Sequence, residues 1–293
     1  MKNNDAQEER TQSVKGRQAG EVDQAGAETP IVEISGLCHS FHHVRGTRAP
    51  AIFDNFNLSL AKGTITSILG PSGCGKTTLL NIVAGLIKHE SGSVRVDGSE
   101  VEGPSPRRGV VFQRYSLFPW LTIRQNVEFG PRMAGLSRQQ RRQKSDHYLE
   151  LVGLTKSADL FPKELSGGMM QRAAVARAYA AEPDVLLMDE PFGALDAETR
   201  AGLQEELLDT WLREKKTIMF ITHDVDEAVY LSQRVVVLRD APAQIVLDMH
   251  VDLGYPRNPE TRLDPKFLEI REHVWKVLHS DKDSVPPLKT KES

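Results

Sequence analysis

The stretch ITSILGPSGCGKTTLLNIVAGL, Ile65 to Leu86, decides the fold. It opens on the apolar run Ile65 to Leu69, crosses the glycine-rich GPSGCG at Gly70 to Gly75, and continues as KTTLLNIVAGL, a good helix former. A strand that ends in glycines and then a helix turns successive backbone N–H groups toward one point, with no side chain in front of them. The helix adds the positive end of its dipole, so the loop is a nest for phosphate oxygens. In this GxxxxGKT pattern Lys76 reaches the β- and γ-phosphates and Thr77 offers its hydroxyl to Mg²⁺. Gly70, Pro71, Ser72, Gly73, Cys74, Gly75 and Thr78 complete the expected phosphate-binding set, in which Cys74 is neither ligand nor nucleophile but a small side chain at a tolerant position.

Outward from this loop, Val110 to Phe112, Val185 to Met188, Ile218 to Ile221 and Val235 to Leu238 are continuous apolar runs, the pattern of strands covered on both faces. The segments between them are long enough for crossover helices. Ile31 to Ile34, the alternating Phe56, Leu58 and Leu60, and Val94 and Val96 ahead of Asp97-Gly98 predict half-buried strands instead. The expected fold is α/β, a P-loop NTPase core with a mainly parallel sheet and an antiparallel β subdomain. Charged, helix-forming sequence from about 114 to 165, including LSRQQRRQKSDHYLELVGL, predicts a helical insert. Its basic residues Arg138, Arg141, Arg142 and Lys144 lack interleaved aromatics and suit a solvated helix face better than a nucleic-acid site.

The 293 residues carry 37 Lys+Arg against 40 Asp+Glu, a net charge of −3 that supplies no general basic field for nucleic acid. Residues 1–29 are nearly devoid of large apolar side chains and are expected to be a disordered, solvated tail. The nucleotide-binding domain is then expected over 30–240. Beyond Leu238 the sequence is loop-rich, and Phe267, Ile270, Val274, Val277 and Leu278 recur at helical spacing after Asp264-Pro265, so 241–293 is expected to be an extension with a terminal helix. Two cysteines cannot form a disulfide framework, and no apolar run reaches the roughly 18 residues that cross a bilayer. His39, His42 and His43 have no Cys or acidic ligand spaced with them and are expected in a solvated loop rather than around a metal.

VLLMDE, Val185 to Glu190, sets two carboxylates at the end of a buried strand, where open parallel sheets bind ligands. Asp189 suits the Mg²⁺ shell and Glu190 suits polarisation of an attacking water as general base. LSGGMMQR, Leu165 to Arg172, then places Ser166 as a helix N-cap, with Gly167 and Gly168 permitting a second close approach to an anion. Gln113 follows VVF, GALD spans Gly193 to Asp196, and His223 follows IMFIT.

With these motifs in this order the chain resembles the ATP-binding cassette family from about Ile31 to Leu238. The resemblance implies that His223 holds the γ-phosphate and attacking water, that Gln113 senses metal and γ-phosphate and passes their state to the insert, and that Asp196 organises a dimer contact. It implies that Phe41 stacks on adenine. It also implies a homodimer in which Ser166 and Gly168 face the ATP held by the opposite subunit. SLFPWLTIRQNVEFG, the segment around LSGGMMQR, and PRNPETRLDPKFLEIREHVWKVL look like ATP-binding subunits of nitrate, sulfonate and taurine-type importers, with Met170 where relatives commonly carry Gln. The expected protein is a peripheral ATPase on the cytoplasmic face of the membrane that drives separate permease subunits, with an extracytoplasmic solute-binding protein as a further partner. Leu117 to Pro119 and Trp120 would dock the permease, core packing being the alternative for Trp120. A soluble cassette acting on ribosomes or DNA, and a nucleotide switch without turnover, are the rival readings; no paired cassette or long coiled coil supports the first, and Lys76 with Glu190 opposes the second.

Overall fold

The computed structural model describes residues 30–42, 48–113, 116–193 and 195–279. The expected tail, His43, the first two residues of the insert, Ala194 of GALD and the last fourteen residues lie outside the described residues. In chain order the elements are β1 (Pro30–His42), β2 (Arg48–Ala61), β3 (Ile65–Leu69), α1 (Lys76–Ala84), β4 (Ser91–Val96), β5 (Ser99–Glu100) and β6 (Arg108–Val111). There follow α2 (Ile123–Val127), α3 (Phe129–Met133), α4 (Arg138–Leu151), α5 (Gly167–Ala180), β7 (Val185–Asp189), α6 (Ala197–Glu214), β8 (Thr217–Ile221), α7 (Val225–Leu231), β9 (Arg234–Arg239), β10 (Gln244–His250) and α8 (Pro265–His279).

Two sheets result. The larger has the order β10-β9-β3-β8-β7-β6, with β9 to β6 parallel. The smaller, β2-β1-β4-β5, is antiparallel throughout. Alternation of side chains explains why the central strands are apolar without a break: Leu186 and Met188 enter the core beneath α5, α6 and α7, while Val185 and Leu187 enter the core shared with α1 and the antiparallel sheet. Both faces are covered, as the continuous runs predict.

The insert comprises α2, α3 and α4. Thr122 and Gln125 form a capping box at the start of α2, and Ser137 and Gln140 do so for α4. Arg124 of α2, almost fully buried, pairs with Asp146 of α4 and fastens the two helices. Arg142 pairs with Asp146 and Lys144 with Glu182, which agrees with a solvated helix face.

Two expectations are corrected. His39 and His42 belong to β1, which extends beyond the apolar run, and His39 is buried with its ring edge-on to Phe41 at 5.1 Å rather than lying in a solvated loop. The chain after Leu238 does not leave the sheet at once: β10 pairs antiparallel with β9, Met249 opposite Val235. Half-buried Ile245, Leu247 and Met249 alternate there with exposed Val246, Asp248 and His250. As an edge strand with no fully buried residue, β10 carries a weak apolar signal that Asp248 and His250 break further.

The terminal helix forms where its spacing predicts. Phe267, Ile270, Val274 and Val277 face the body beside α7, β9 and β10. Phe267 has no exposed surface, so Phe267→Ala should lower unfolding free energy by about 3–5 kcal/mol in denaturant titration. A loss below about 1 kcal/mol would mean that α8 is not part of the cooperative core.

Candidate functional site

The loop Gly70 to Gly75 joins the buried strand β3 to α1. Gly75 occupies the N-cap position of α1 with φ 101°, and a Cβ there would lie 2.7 Å from Ile52 Cγ2 and 3.0 Å from Phe53 Cζ. Backbone conformation and the neighbouring strand both require glycine at this position. The first turn of α1 receives no side-chain cap, whereas α4, α5, α6 and α7 are capped by Ser137, Ser166, Asp196 and Asp224. The orphan N–H groups of α1 are therefore left for an anion.

Lys76 lies along the inside of this loop, 7 % exposed, and its Nζ donates to the carbonyls of Gly70 at 2.7 Å and Pro71 at 2.9 Å. Its charge is thereby fixed beside the N–H nest. Cys74 turns into the core, where burial pushes its thiol pKa up, which supports a packing role. Pro71, Ser72, Gly73 and Thr77 are exposed and Thr78 is half-buried. Phe41 is 48 % exposed, two residues beyond His39, which pairs with Phe53 beside Gly75.

At the carboxyl end of β7, Thr77 Oγ1 donates to Asp189 Oδ1 at 3.2 Å. A carboxylate from the end of β7 and a hydroxyl from the first turn of α1 form a hard oxygen pair, which fits Mg²⁺ completed by water and phosphate oxygens. Burial pushes the Asp189 carboxyl up, and the Glu190 charge adds to this, against the Thr77 hydrogen bond and Lys76. A divalent cation would oppose that shift.

Glu190 has φ 43° and its N–H donates to Ile221 O at 2.9 Å. From this turn its Oε2 lies 3.4 Å from Gln113 Nε2 and 3.2 Å from His223 Nδ1. Gln113 follows β6, Glu190 follows β7 and His223 follows β8, three adjacent parallel strands, so the sheet order brings the three side chains together. A carboxylate held between an amide and an imidazole can accept a water proton while its neighbours orient what it touches.

The entrance of α5 is separate. Ser166 accepts from Met169 N at 3.4 Å, as an N-cap should. A Cβ on Gly168 would lie 2.6 Å from Thr199 Cγ2 in α6, whose own cap is Asp196 accepting from Thr199 N at 3.0 Å. Gly168 thus has a packing reason within its own chain besides any approach to an anion. Among the described residues neither Ser166 nor Gly168 bonds the Gly70–Thr78 loop. The backbone bond to Thr199 holds the exposed Asp196 carboxyl below the usual range.

On the insert, Phe118 packs on Phe129 at 4.6 Å beneath the Arg177 guanidinium, which also bonds Ser116 O at 2.7 Å. Trp120, tilted against Phe118, is 70 % exposed, which sets aside core packing for it.

Residues 53–193 match the family described as ABC transporter. A Brucella abortus (strain 2308) chain named as an ATP-binding protein is 58 % identical over 226 residues, 77 % of this chain and 87 % of that one. The nitrate import ATP-binding protein of Synechocystis sp. (strain PCC 6803) is 44 % identical over 253 residues, 84 % of this chain and 94 % of that protein. The aliphatic sulfonates import ATP-binding protein of Bacillus subtilis (strain 168) is 45 % identical over 240 residues, 82 % and 92 % of the two chains. Among solved structures, a dimeric post-hydrolysis state of an ATP-binding cassette bound to ADP and Pi superposes with TM-score 0.66 at 30 % identity, covering 76 % of this chain and all of that one.

Two outcomes follow from the geometry. Glu190→Gln should lower ATP turnover about 10²–10⁴-fold with ATP binding retained, read by phosphate release and equilibrium binding; unchanged turnover would remove Glu190 from the chemistry. Lys76→Ala should lower kcat/KM about a hundredfold or more, because the nest loses its only formal positive charge from the loop. An unaffected rate would mean that phosphate is held elsewhere.

Proposed function

This chain belongs to the ABC transporter family as an ATP-binding, ATP-hydrolysing subunit of the importer type, and from that premise we propose that it energises a separate permease importing a small anion. The observation that carries the reading is the meeting of the uncapped α1 start, the Thr77–Asp189 pair and the Gln113–Glu190–His223 cluster at one edge of the parallel sheet. ATP would lie with its triphosphate on the Gly70–Thr78 loop and its adenine toward Phe41. Mg²⁺ on Thr77, Asp189 and the nearby Gln113 would supply positive charge to the phosphate oxygens. Glu190 would polarise the attacking water, and His223 would hold the γ-phosphate in place for it.

A second copy would complete the site. Ser166 and Gly168 stand at a helix start away from their own loop, so two chains related by a two-fold axis can each offer that start to the other's ATP. Gln113 stands just before the insert, so closure around ATP would be passed to the surface that carries Phe118 and Trp120. That surface is the proposed permease dock, and no helix among the described residues is long and apolar enough to cross a membrane. The chain would then act from the cytoplasmic face as a peripheral subunit, with a solute-binding protein on the other side. Nitrate, sulfonates and taurine are the solutes in view, since relatives of nearly equal identity carry nitrate and sulfonate names.

The test is to isolate the chain from native membranes and identify what accompanies it. A polytopic membrane protein is expected, and Trp120→Asp should weaken its retention about tenfold or more while ATP hydrolysis by the isolated chain persists. Recovery with ribosomes or DNA instead would overturn the reading.

A further inference from the structure

The His223 side chain is 65 % exposed, so packing around the ring does not hold it. Besides its contact with Glu190, its position is set by the backbone turn between β8 and α7, and that turn is anchored by a buried polar line. Thr222, 1 % exposed, accepts from Asp224 N at 3.0 Å and donates its hydroxyl to Glu227 Oε2 at 2.5 Å. Glu227, buried in α7, accepts at Oε1 from Gln204 Nε2 of α6 at 3.0 Å. Gln204 in turn accepts at Oε1 from Arg262 Nη2 at 2.5 Å. Arg262 lies in the turn Pro259–Leu263, between β10 and α8.

The line has one sense throughout. A guanidinium only donates, so the Gln204 oxygen faces Arg262 and its NH₂ must face Glu227. Glu227 then receives two donors, and the Thr222 hydroxyl, having given its proton to Glu227, has lone pairs for the Asp224 N–H. Burying Glu227 would be costly without these partners. The same C-terminal segment grips the far end of α7: Arg257 Nη1 donates to the carbonyls of Val229, Tyr230 and Ser232 at 2.9, 2.8 and 3.0 Å, and the Arg262 guanidinium lies 3.9 Å from the centroid of the Tyr230 ring. The helix that begins just beyond His223 is therefore held at both ends by residues that reach back to the segment after β10.

We propose that Thr222, Glu227, Gln204 and Arg262 are positioning residues for His223, so that the segment after β10 acts on ATP hydrolysis through Arg262. This rests on the reading of His223 as a γ-phosphate contact. Steady-state ATP hydrolysis by the full chain tests it. Thr222→Val should lower kcat about tenfold with the KM for ATP within about twofold, and Thr222→Ser should restore the rate. Arg262→Met, which leaves the buried carboxylate and hydroxyl in place, should lower kcat about threefold, and the double variant should be no slower than Thr222→Val. Unchanged kcat in Thr222→Val or in Arg262→Met, a loss carried by KM alone, or multiplying losses in the double variant would overturn the proposal. His223→Ala in the same assay separates the two claims: a silent His223→Ala refutes the site reading, while a slow His223→Ala beside a normal Thr222→Val refutes only the positioning line.

Discussion

The uncapped start of α1 at the end of β3 is the constraint on which the rest depends. A helix leaves its first N–H groups without partners, and most helices here satisfy one with a Ser, Thr or Asp side chain. At Gly75 no such side chain is present, and none could be accommodated against Ile52 and Phe53. The polar deficit stands at the carboxyl end of a strand whose every residue is buried, with a lysine already bound to the loop carbonyls. An anion is the partner that satisfies all of these groups together.

The parallel sheet then determines which residues can reach that anion. Because β8 lies between β3 and β7, and β6 lies beyond β7, the loops after these strands open on one edge. Asp189 meets Thr77 across 112 positions of sequence, and Gln113 meets Glu190 across 77. The antiparallel sheet lies against the loop through Ile52 and Phe53, and the insert carries the exposed Trp120. The glycine-rich loop, the Gln113–Glu190–His223 cluster and the start of the insert thus lie on adjacent parts of one framework.

Much of this was legible in the residues. The GxxxxGKT loop, the continuous apolar strands and the heptad-like spacing of α8 each carry a local physical cause, and each forms as that cause predicts. The meeting of Gln113, Glu190 and His223 was not local: it depends on strand order, and only family resemblance brought the first and third residues into view. β10 has no local signal because an edge strand needs no buried run. His39 has no strand signal of its own because β1 outlasts its apolar stretch. Glu227 carries no motif of its own; its burial against Thr222 and Gln204 is a property of packing alone.

The central claim is that one ATP is held by the α1 start of one copy and the α5 start of another. Sedimentation of the Glu190→Gln chain, with and without ATP and with Ser166→Arg added, measures it most directly. The account requires a dimer that forms with ATP and is lost when the bulky cation is placed at the α5 entrance. A chain that stays monomeric with ATP bound, or a dimer indifferent to Ser166→Arg, would contradict it.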